Sequence, residues 1–214
     1  MEKKSHLFPI EQEIEVVLIM IPGWFGYRNQ IGKKPKQTLK METIINQKRR
    51  VMKIKKRRKK AAAHILDQET TDFQKCLAVC DADIFLGVGF LGGRLDHQLA
   101  AFSTLLNEPR PVVLIDEAQL VFVVPLEFSV DLEAETPVGF YPMVSIEASL
   151  RGVRWPLSNA AMSPIGQIAT SNVALGGALE ITVDGPGLLA IMPRRYLVAV
   201  LAALDRGFGK AHHQ

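Results

Sequence analysis

The sequence predicts an α/β fold: an α/β domain followed by a C-terminal antiparallel β-sandwich. Three observations predict it. Residues 67–116 alternate helical and strand patterns around a glycine-rich turn, the grammar of an α/β sheet domain. After Pro125 the chain breaks into short β-prone segments punctuated by Gly and Pro, with no long helical pattern before Tyr196. Residues 1–60 stand apart in composition from both. The expected organisation is therefore an atypical basic segment at 1–60, an α/β domain at 61–124 and a β-sandwich domain at 125–214.

Residues 1–60 hold 17 Lys and Arg against 5 Glu, with no Asp and no Ala, a net charge of +12. Residues 61–214 hold 9 Lys and Arg against 17 Asp and Glu, a net charge of −8, and are rich in alanine. Such a shift marks a change of origin or of physical role. Within the first part, the apolar run over residues 14–24 ends in Pro22-Gly23 and reads as one buried strand followed by a turn. Residues 33–60 end in Lys55-Lys56-Arg57-Arg58-Lys59-Lys60, and their self-repulsion predicts a solvated helix or disorder. Such a run suits nucleic acid or an acidic membrane surface. It lacks the interleaved aromatics of a single-strand binding surface, so a nucleic-acid-binding module is the weaker reading.

From residue 61 the elements follow in order. Asp67 to Cys80 reads as a helix opened by Thr and Asp, natural N-cap types. Asp83–Val88 is a strand, Gly89–Gly93 a glycine-rich turn, and Arg94–Leu106 a helix with Leu95, Leu99, Phe102 and Leu106 on one apolar stripe. Pro111–Asp116 is a strand. The β-prone segments are Glu127–Leu132, Met143–Leu150, Gln167–Asn172, Ala178–Val183 and Leu188–Met192, before a short helix over Tyr196–Asp205. The two cysteines, Cys76 and Cys80, share a helix face without further Cys or His at metal-site spacing, which predicts reduced thiols in or near the core. No apolar run reaches the ~18 residues of a spanning helix. No apolar core with a small-residue cleavage site follows Met1-Glu2-Lys3-Lys4, so a cytoplasmic location is expected.

Two constellations carry chemistry. In Gly92-Gly93-Arg94-Leu95-Asp96-His97, paired glycines between strand and helix let the backbone approach a phosphate. There Arg94 can grip phosphate oxygens with two donors, Asp96 can hold a metal or orient Arg94, and His97 can donate to phosphate. The bland alternative is a tight packing turn. In Asp67-x-x-Thr70-Thr71-Asp72, carboxylates beside hydroxyls at a helix start suit a magnesium-bound polyphosphate, with a plain capping motif as the alternative.

These blocks, in this order, resemble the thiamine pyrophosphokinase family. Asp67–Lys75 is similar to that family's Asp-x-x-Thr-Thr-Asp-Phe-x-Lys block and Gly92–His97 to its Gly-Gly-Arg-x-Asp-His. Gly152-Val153-Arg154-Trp155-Pro156-Leu157 is similar to its Gly-x-x-Trp-Pro-Leu segment, and Thr170-Ser171-Asn172 to its Ser/Thr-Ser-Asn block, ahead of Pro193-Arg194. The resemblance implies transfer of a pyrophosphoryl group from ATP to the hydroxyl of thiamine, with Mg²⁺, in a homodimer whose site lies between subunits. It also implies that the α/β domain binds nucleotide and the β-sandwich binds thiamine. Carried over, Thr70, Thr71, Gly92, Gly93, Arg94 and His97 would meet ATP. Asp72, Arg94 and Asp96 would act in catalysis, Asp67 and Asp72 would hold the metal, and Trp155, Ser171 and Asn172 would meet thiamine. An indole face suits a cationic ring, and a hydroxyl with an amide suits the edge of a pyrimidine.

The chain departs from the family before residue 61. Family members carry Ala-Asp-Gly-Gly and Gly-Asp-x-Asp-Ser segments, the second supplying metal-binding aspartates. Here no aspartate precedes Asp67, no Gly-Gly precedes Gly92, and Asp81-Ala82-Asp83 follows the Thr-Thr-Asp block. Reduced Mg²⁺ affinity and turnover are the expected consequence, and a catalytically silent thiamine-binding protein is the alternative.

Overall fold

A computed structural model describes residues 15–20, 53–56 and 71–209. Its strands are β1 (Glu15–Met20), β2 (Lys53–Lys56), β3 (Ile84–Val88), β4 (Val112–Ile115), β5 (Gln119–Val123), β6 (Glu127–Leu132), β7 (Pro137–Pro142), β8 (Ile146–Arg151), β9 (Leu157–Met162), β10 (Ala169–Val173), β11 (Gly177–Val183) and β12 (Leu188–Pro193). Its helices are α1 (Asp72–Ala78), α2 (Leu95–Asn107) and α3 (Leu197–Gly209), the last entered through a 3₁₀ turn at Arg194–Tyr196.

One sheet of eight strands runs β10-β7-β12-β5-β4-β3-β1-β2, and a second of four runs β6-β11-β8-β9. In the large sheet β2, β1, β3 and β4 are parallel, while β5, β12, β7 and β10 are antiparallel. Burial patterns follow from this. Val16 to Ile19 and Val112 to Ile115 are buried without a break, as central parallel strands covered on both faces require. Residues of β6 alternate exposed and buried, the signature of a strand with one wet face.

Both faces of the parallel part are covered. On one, Phe73 and Leu77 of α1 and Ala101 and Leu105 of α2 pack with Val17, Ile19, Phe85 and Leu114. On the other, Val200, Leu201 and Leu204 of α3 join Val16, Leu86 and Val113 in a cluster that also includes Phe122, Phe128, Phe140, Leu150 and Ile181. That cluster holds the small sheet against the large one, and the Phe122 and Phe128 rings lie 5.0 Å apart. Because β5 hydrogen-bonds to both β4 and β12, the large sheet runs without interruption across the expected boundary at residue 124.

The chain leaves β1 for β2 on one side and returns to β3 on the other. Such a reversal places the usual ligand position of open α/β sheets at the carboxyl ends of β1 and β3. The loop Gly89–Gly93 leaves β3 at this point.

Several expectations are corrected. Lys53–Lys56 form a strand parallel to β1 inside the segment expected to be helical or disordered; the other residues of 33–60 lie outside the described residues. The helix expected from Asp67 begins at Asp72 and ends at Ala78, with residues 67–70 outside the described residues. The stripe on α2 is misplaced, since Leu95 is 68% and Leu99 51% exposed. Its buried residues are Ala101, Thr104 and Leu105, because the helix lays its small-residue side on the sheet, with the Thr104 hydroxyl donating to Ala100 O at 2.9 Å. No strand was expected at β5, β7 or β9. Pro137 reads as punctuation, but it and Pro142 stand at the two ends of β7, where prolines are tolerated. Leu157–Met162 has little β-branched or aromatic character and forms a sheet edge. Cys76 is buried and Cys80 partly so, in or near the core as expected.

Candidate functional site

The loop after β3 is anchored from below and open above. Phe90 and Leu91 are buried, while Gly92 and Gly93 are exposed. Both glycines take left-handed backbone, φ +77° and +78°, which other residues adopt only with strain. Nothing lies within 4 Å of where a Gly92 Cβ would stand. The loop's requirement for glycine is therefore conformational, and the space above it is free.

Arg94 is the N-cap of α2 but makes no capping bond. Its guanidinium engages Asp96 instead, with Nε donating to Oδ1 at 3.1 Å and a closer contact from the terminal nitrogen to Oδ2. The His97 N–H donates to the same Oδ1 at 3.0 Å. The Arg94 hydrogen bond, aided by the His97 N–H, holds the Asp96 carboxyl below the usual carboxylate range against a smaller opposing effect of burial, and Asp96 in turn raises Arg94.

Thr71 caps α1. Its hydroxyl accepts from Gln74 N–H at 3.2 Å, and Gln74 Oε1 accepts from Thr71 N–H at 2.8 Å, a reciprocal capping box. The bland reading of this block is thus realised at Thr71, and Asp72 stands exposed in the first turn. Asp67 and Thr70 lie outside the described residues. Phe73 stacks on Phe90, which joins the start of α1 to the glycine loop. At the other end of α1, Arg110 donates to Leu77 O at 3.0 Å and Cys80 O at 2.8 Å. It pairs with Glu108 at 2.6 Å and lies 4.5 Å from the Phe85 ring centre.

A separate group of residues stands on a loop between β8 and β9, stitched to the residues at and after the end of β10. Gly152 has φ +76°, and a Cβ there would lie 2.1 Å from Ala178 O, so only glycine fits. Leu175 N–H donates to Gly152 O at 2.9 Å and Arg154 N–H to Val173 O at 2.8 Å. Asn172, 2% exposed, accepts from Trp155 N–H at 3.2 Å and from Val173 N–H at 2.9 Å, and donates to Trp155 O at 2.9 Å. Held this way, Trp155 remains 55% exposed. Arg154 pairs with Glu135 at 2.6 Å and lies 5.7 Å from the indole centre. Ser171, at the irregularity in the β10–β7 pairing, has φ +60° and is exposed beside this loop.

Residues 126–188, which contain this whole loop, match the family model described as "Thiamin pyrophosphokinase, vitamin B1 binding domain". Thiamine pyrophosphokinase 1 of Oryza sativa subsp. japonica is 33% identical over 136 residues, 55% of this chain and 51% of that protein. Over these residues the chain is similar to the thiamine pyrophosphokinases. Thiamin pyrophosphokinase 1 of Caenorhabditis elegans is 30% identical over 127 residues, 51% of this chain and 52% of that protein. The chain spans about half the length of the curated relatives it matches. Among solved structures, yeast thiamin pyrophosphokinase aligns with a TM-score of 0.56 at 14% identity, covering 86% of this chain and 88% of that one. The Geobacillus thermodenitrificans enzyme aligns at 0.53 and 17%, covering 84% and 97%. The mixed, sheet-rich α/β fold is that of the thiamin pyrophosphokinase structures.

Within this family fold, the site residues expected from sequence form two groups. Thr71 and Asp72 precede Phe73, and Gly92, Gly93, Arg94, Asp96 and His97 follow Phe90, so the Phe73–Phe90 stack links the two blocks. Trp155, Ser171 and Asn172 gather at the loop after β8, although the Asn172 carboxamide is directed at the chain rather than outward. Among the described residues no three His, Cys, Asp or Glu side chains converge as a metal site, and Asp96 is engaged by Arg94. The described residues therefore do not by themselves fit Mg²⁺. Sequence reading missed Arg154, Glu135 and Arg110. Arg154 lies inside the Gly-x-x-Trp-Pro-Leu motif and was the one within reach. Among the described residues no helix is long and apolar enough to cross a membrane.

Proposed function

We propose that this chain transfers the pyrophosphoryl group of ATP to thiamine. The thiamine hydroxyl oxygen bonds to the β-phosphorus, the bond from that phosphorus to the α-phosphate oxygen breaks, and AMP leaves as the hydroxyl proton is lost. The observation that carries the reading is the match of residues 126–188 to a vitamin B1 binding domain, in which Trp155 is offered as a half-exposed indole on a fixed loop. An indole face attracts a cationic aromatic ring. Ser171 supplies an exposed hydroxyl beside it.

For the nucleotide, the support is positional. Gly92 and Gly93 stand at the carboxyl end of β3 beside the reversal of strand order, leading into the first turn of α2. Arg94 meets a phosphate by exchanging its Asp96 carboxylate for phosphate oxygens, a swap between anionic partners at an exposed position. On this reading residues 61–124 form the nucleotide-binding domain and 125–214 the thiamine-binding β-sandwich. A homodimer is part of the proposal, supported by the exposed apolar side chains Leu95, Leu99, Trp155 and Leu175. A cytoplasmic location remains an expectation from the signal-peptide reading, and a nucleic-acid partner remains the weaker reading of the basic segment.

Mg²⁺ would neutralise phosphate charge when bound, but no step is assigned to it, since the described carboxylates do not converge. The lack of any aspartate before Asp67 favours a second reading, a thiamine-binding protein without transfer activity. Thiamine-dependent release of AMP from ATP by the purified chain separates the two. Release supports the enzyme, and thiamine binding without release supports the silent binder. Binding of neither compound overturns both.

A further inference from the structure

Asn172 and Trp155 are 17 positions apart and joined by a two-sided grip. Asn172 is 2% exposed and its carboxamide carries three hydrogen bonds. Its oxygen accepts the Trp155 N–H at 3.2 Å and the Val173 N–H at 2.9 Å, and its nitrogen donates to the Trp155 carbonyl at 2.9 Å. The orientation is fixed by chemistry: turning the amide over would set a donor against two N–H groups and an acceptor against a carbonyl. No single-function side chain replaces it. Aspartate keeps the two acceptances but turns a carboxylate toward the Trp155 carbonyl, and leucine keeps none.

The indole itself has no comparable restraint. It is 55% exposed, and the Arg154 guanidinium lies 5.7 Å from its ring centre. What fixes its direction is the backbone, and the backbone at residue 155 is fixed by Asn172. The neighbouring stitches, Arg154 N–H to Val173 O and Leu175 N–H to Gly152 O, hold the loop to the chain at and beyond the end of β10 but do not touch the Trp155 peptide.

We propose that Asn172 is a positioning residue. It does not meet the ligand; it clamps the peptide of Trp155 from both sides so that the indole is presented as a preset face for a cationic aromatic ring. This rests on the thiamine reading for the ligand, but the clamp itself stands or falls separately. A preset face spares the ligand the entropy of ordering the loop, so loosening the clamp weakens binding without removing any atom that touches ligand.

The test uses the full chain with Trp24→Phe, which leaves Trp155 as its sole tryptophan. In Asn172→Asp on that background, and before any ligand is added, the fluorescence anisotropy of Trp155 falls and its quenching by acrylamide rises. Far-UV dichroism stays unchanged, and the thiamine Kd rises about tenfold. Unaltered anisotropy and quenching in Asn172→Asp overturn the proposal, whatever thiamine does. If thiamine binds neither protein while the indole still loosens, the thiamine reading falls and the clamp stands. Should Asn172→Asp not fold, the carboxamide protons of Asn172 in the Trp24→Phe chain decide by NMR. Slow exchange with contacts to the Trp155 amide proton supports the clamp, and exchange as fast as in an exposed asparagine overturns it.

Discussion

The rings of Phe73 and Phe90 lie with centroids 4.1 Å apart, tilted by 36°, and both side chains are buried. Phe73 follows Asp72 and Phe90 precedes Gly92 by two residues, so this stack is what brings the capping block of α1 to the glycine loop. That proximity rests on an apolar contact between two buried rings. Phe73→Ala should therefore cost about 3–5 kcal/mol of stability, the range for a truncated buried aromatic. Urea denaturation measures this, and a loss below about 1 kcal/mol would mean that the stack does not hold the blocks together.

Gly152 makes a sharper prediction. Its left-handed φ and the 2.1 Å approach of Ala178 O to a would-be Cβ involve backbone on both sides, which cannot step aside as a flexible side chain would. Gly152→Ala should lower stability by about 2 kcal/mol or more and move the Trp155 loop. Gly177→Ala is the control: it also has positive φ, but nothing lies within 4 Å of its Cβ position, so it bears the conformational strain alone. Equal midpoints for the two variants would refute the steric argument.

What could be read from sequence divides along physical lines. β1 was legible because Val16 to Ile19 is an unbroken apolar run, and β6 because Glu127–Leu132 alternates with period two. The stripe on α2 misled because Leu95 and Leu99 have the right spacing, yet which face a helix buries is decided by the sheet beneath it. Ala101 permits that close approach. Gly152, Trp155 and Asn172 were visible as motif members, but their roles were not. A spacing of 17 residues does not reveal that one amide holds another residue's peptide. Arg110 had no signal at all, since its partners Leu77 O and Cys80 O are backbone atoms more than 29 residues away.

Arg94 separates binding from stability. Its ion pair with Asp96 is exposed and local, so Arg94→Ala should leave the melting temperature unchanged. On the proposed function, ATP affinity should fall about tenfold or more in the same variant, and Arg94→Lys should recover only part of it, because an ammonium lacks the planar two-donor fork. Calorimetric titration with ATP checks this. A melting shift without an affinity change would assign Arg94 a structural part and remove it from the nucleotide site.

Asp205 on α3 gives the chain a pH dependence of definite sign. Burial first, and then the nearby Asp83 carboxylate, push its pKa up, while Arg206 opposes them more weakly. The folded chain therefore binds this proton more tightly than the unfolded chain, whose carboxyl titrates near an ordinary value of about 3.9. This group's contribution to stability is fully present below that value and is lost as pH rises through the raised folded value. At neutral pH the charged carboxylate is then a liability, which Asp205→Asn removes without changing shape. The variant should melt higher than the parent at pH 7, and the difference should shrink to nothing below about pH 4, where Asp205 is protonated in both states. Melting curves of the two proteins across that range test it. A difference that persists in acid would show that the asparagine acts through packing or hydrogen bonding rather than through charge.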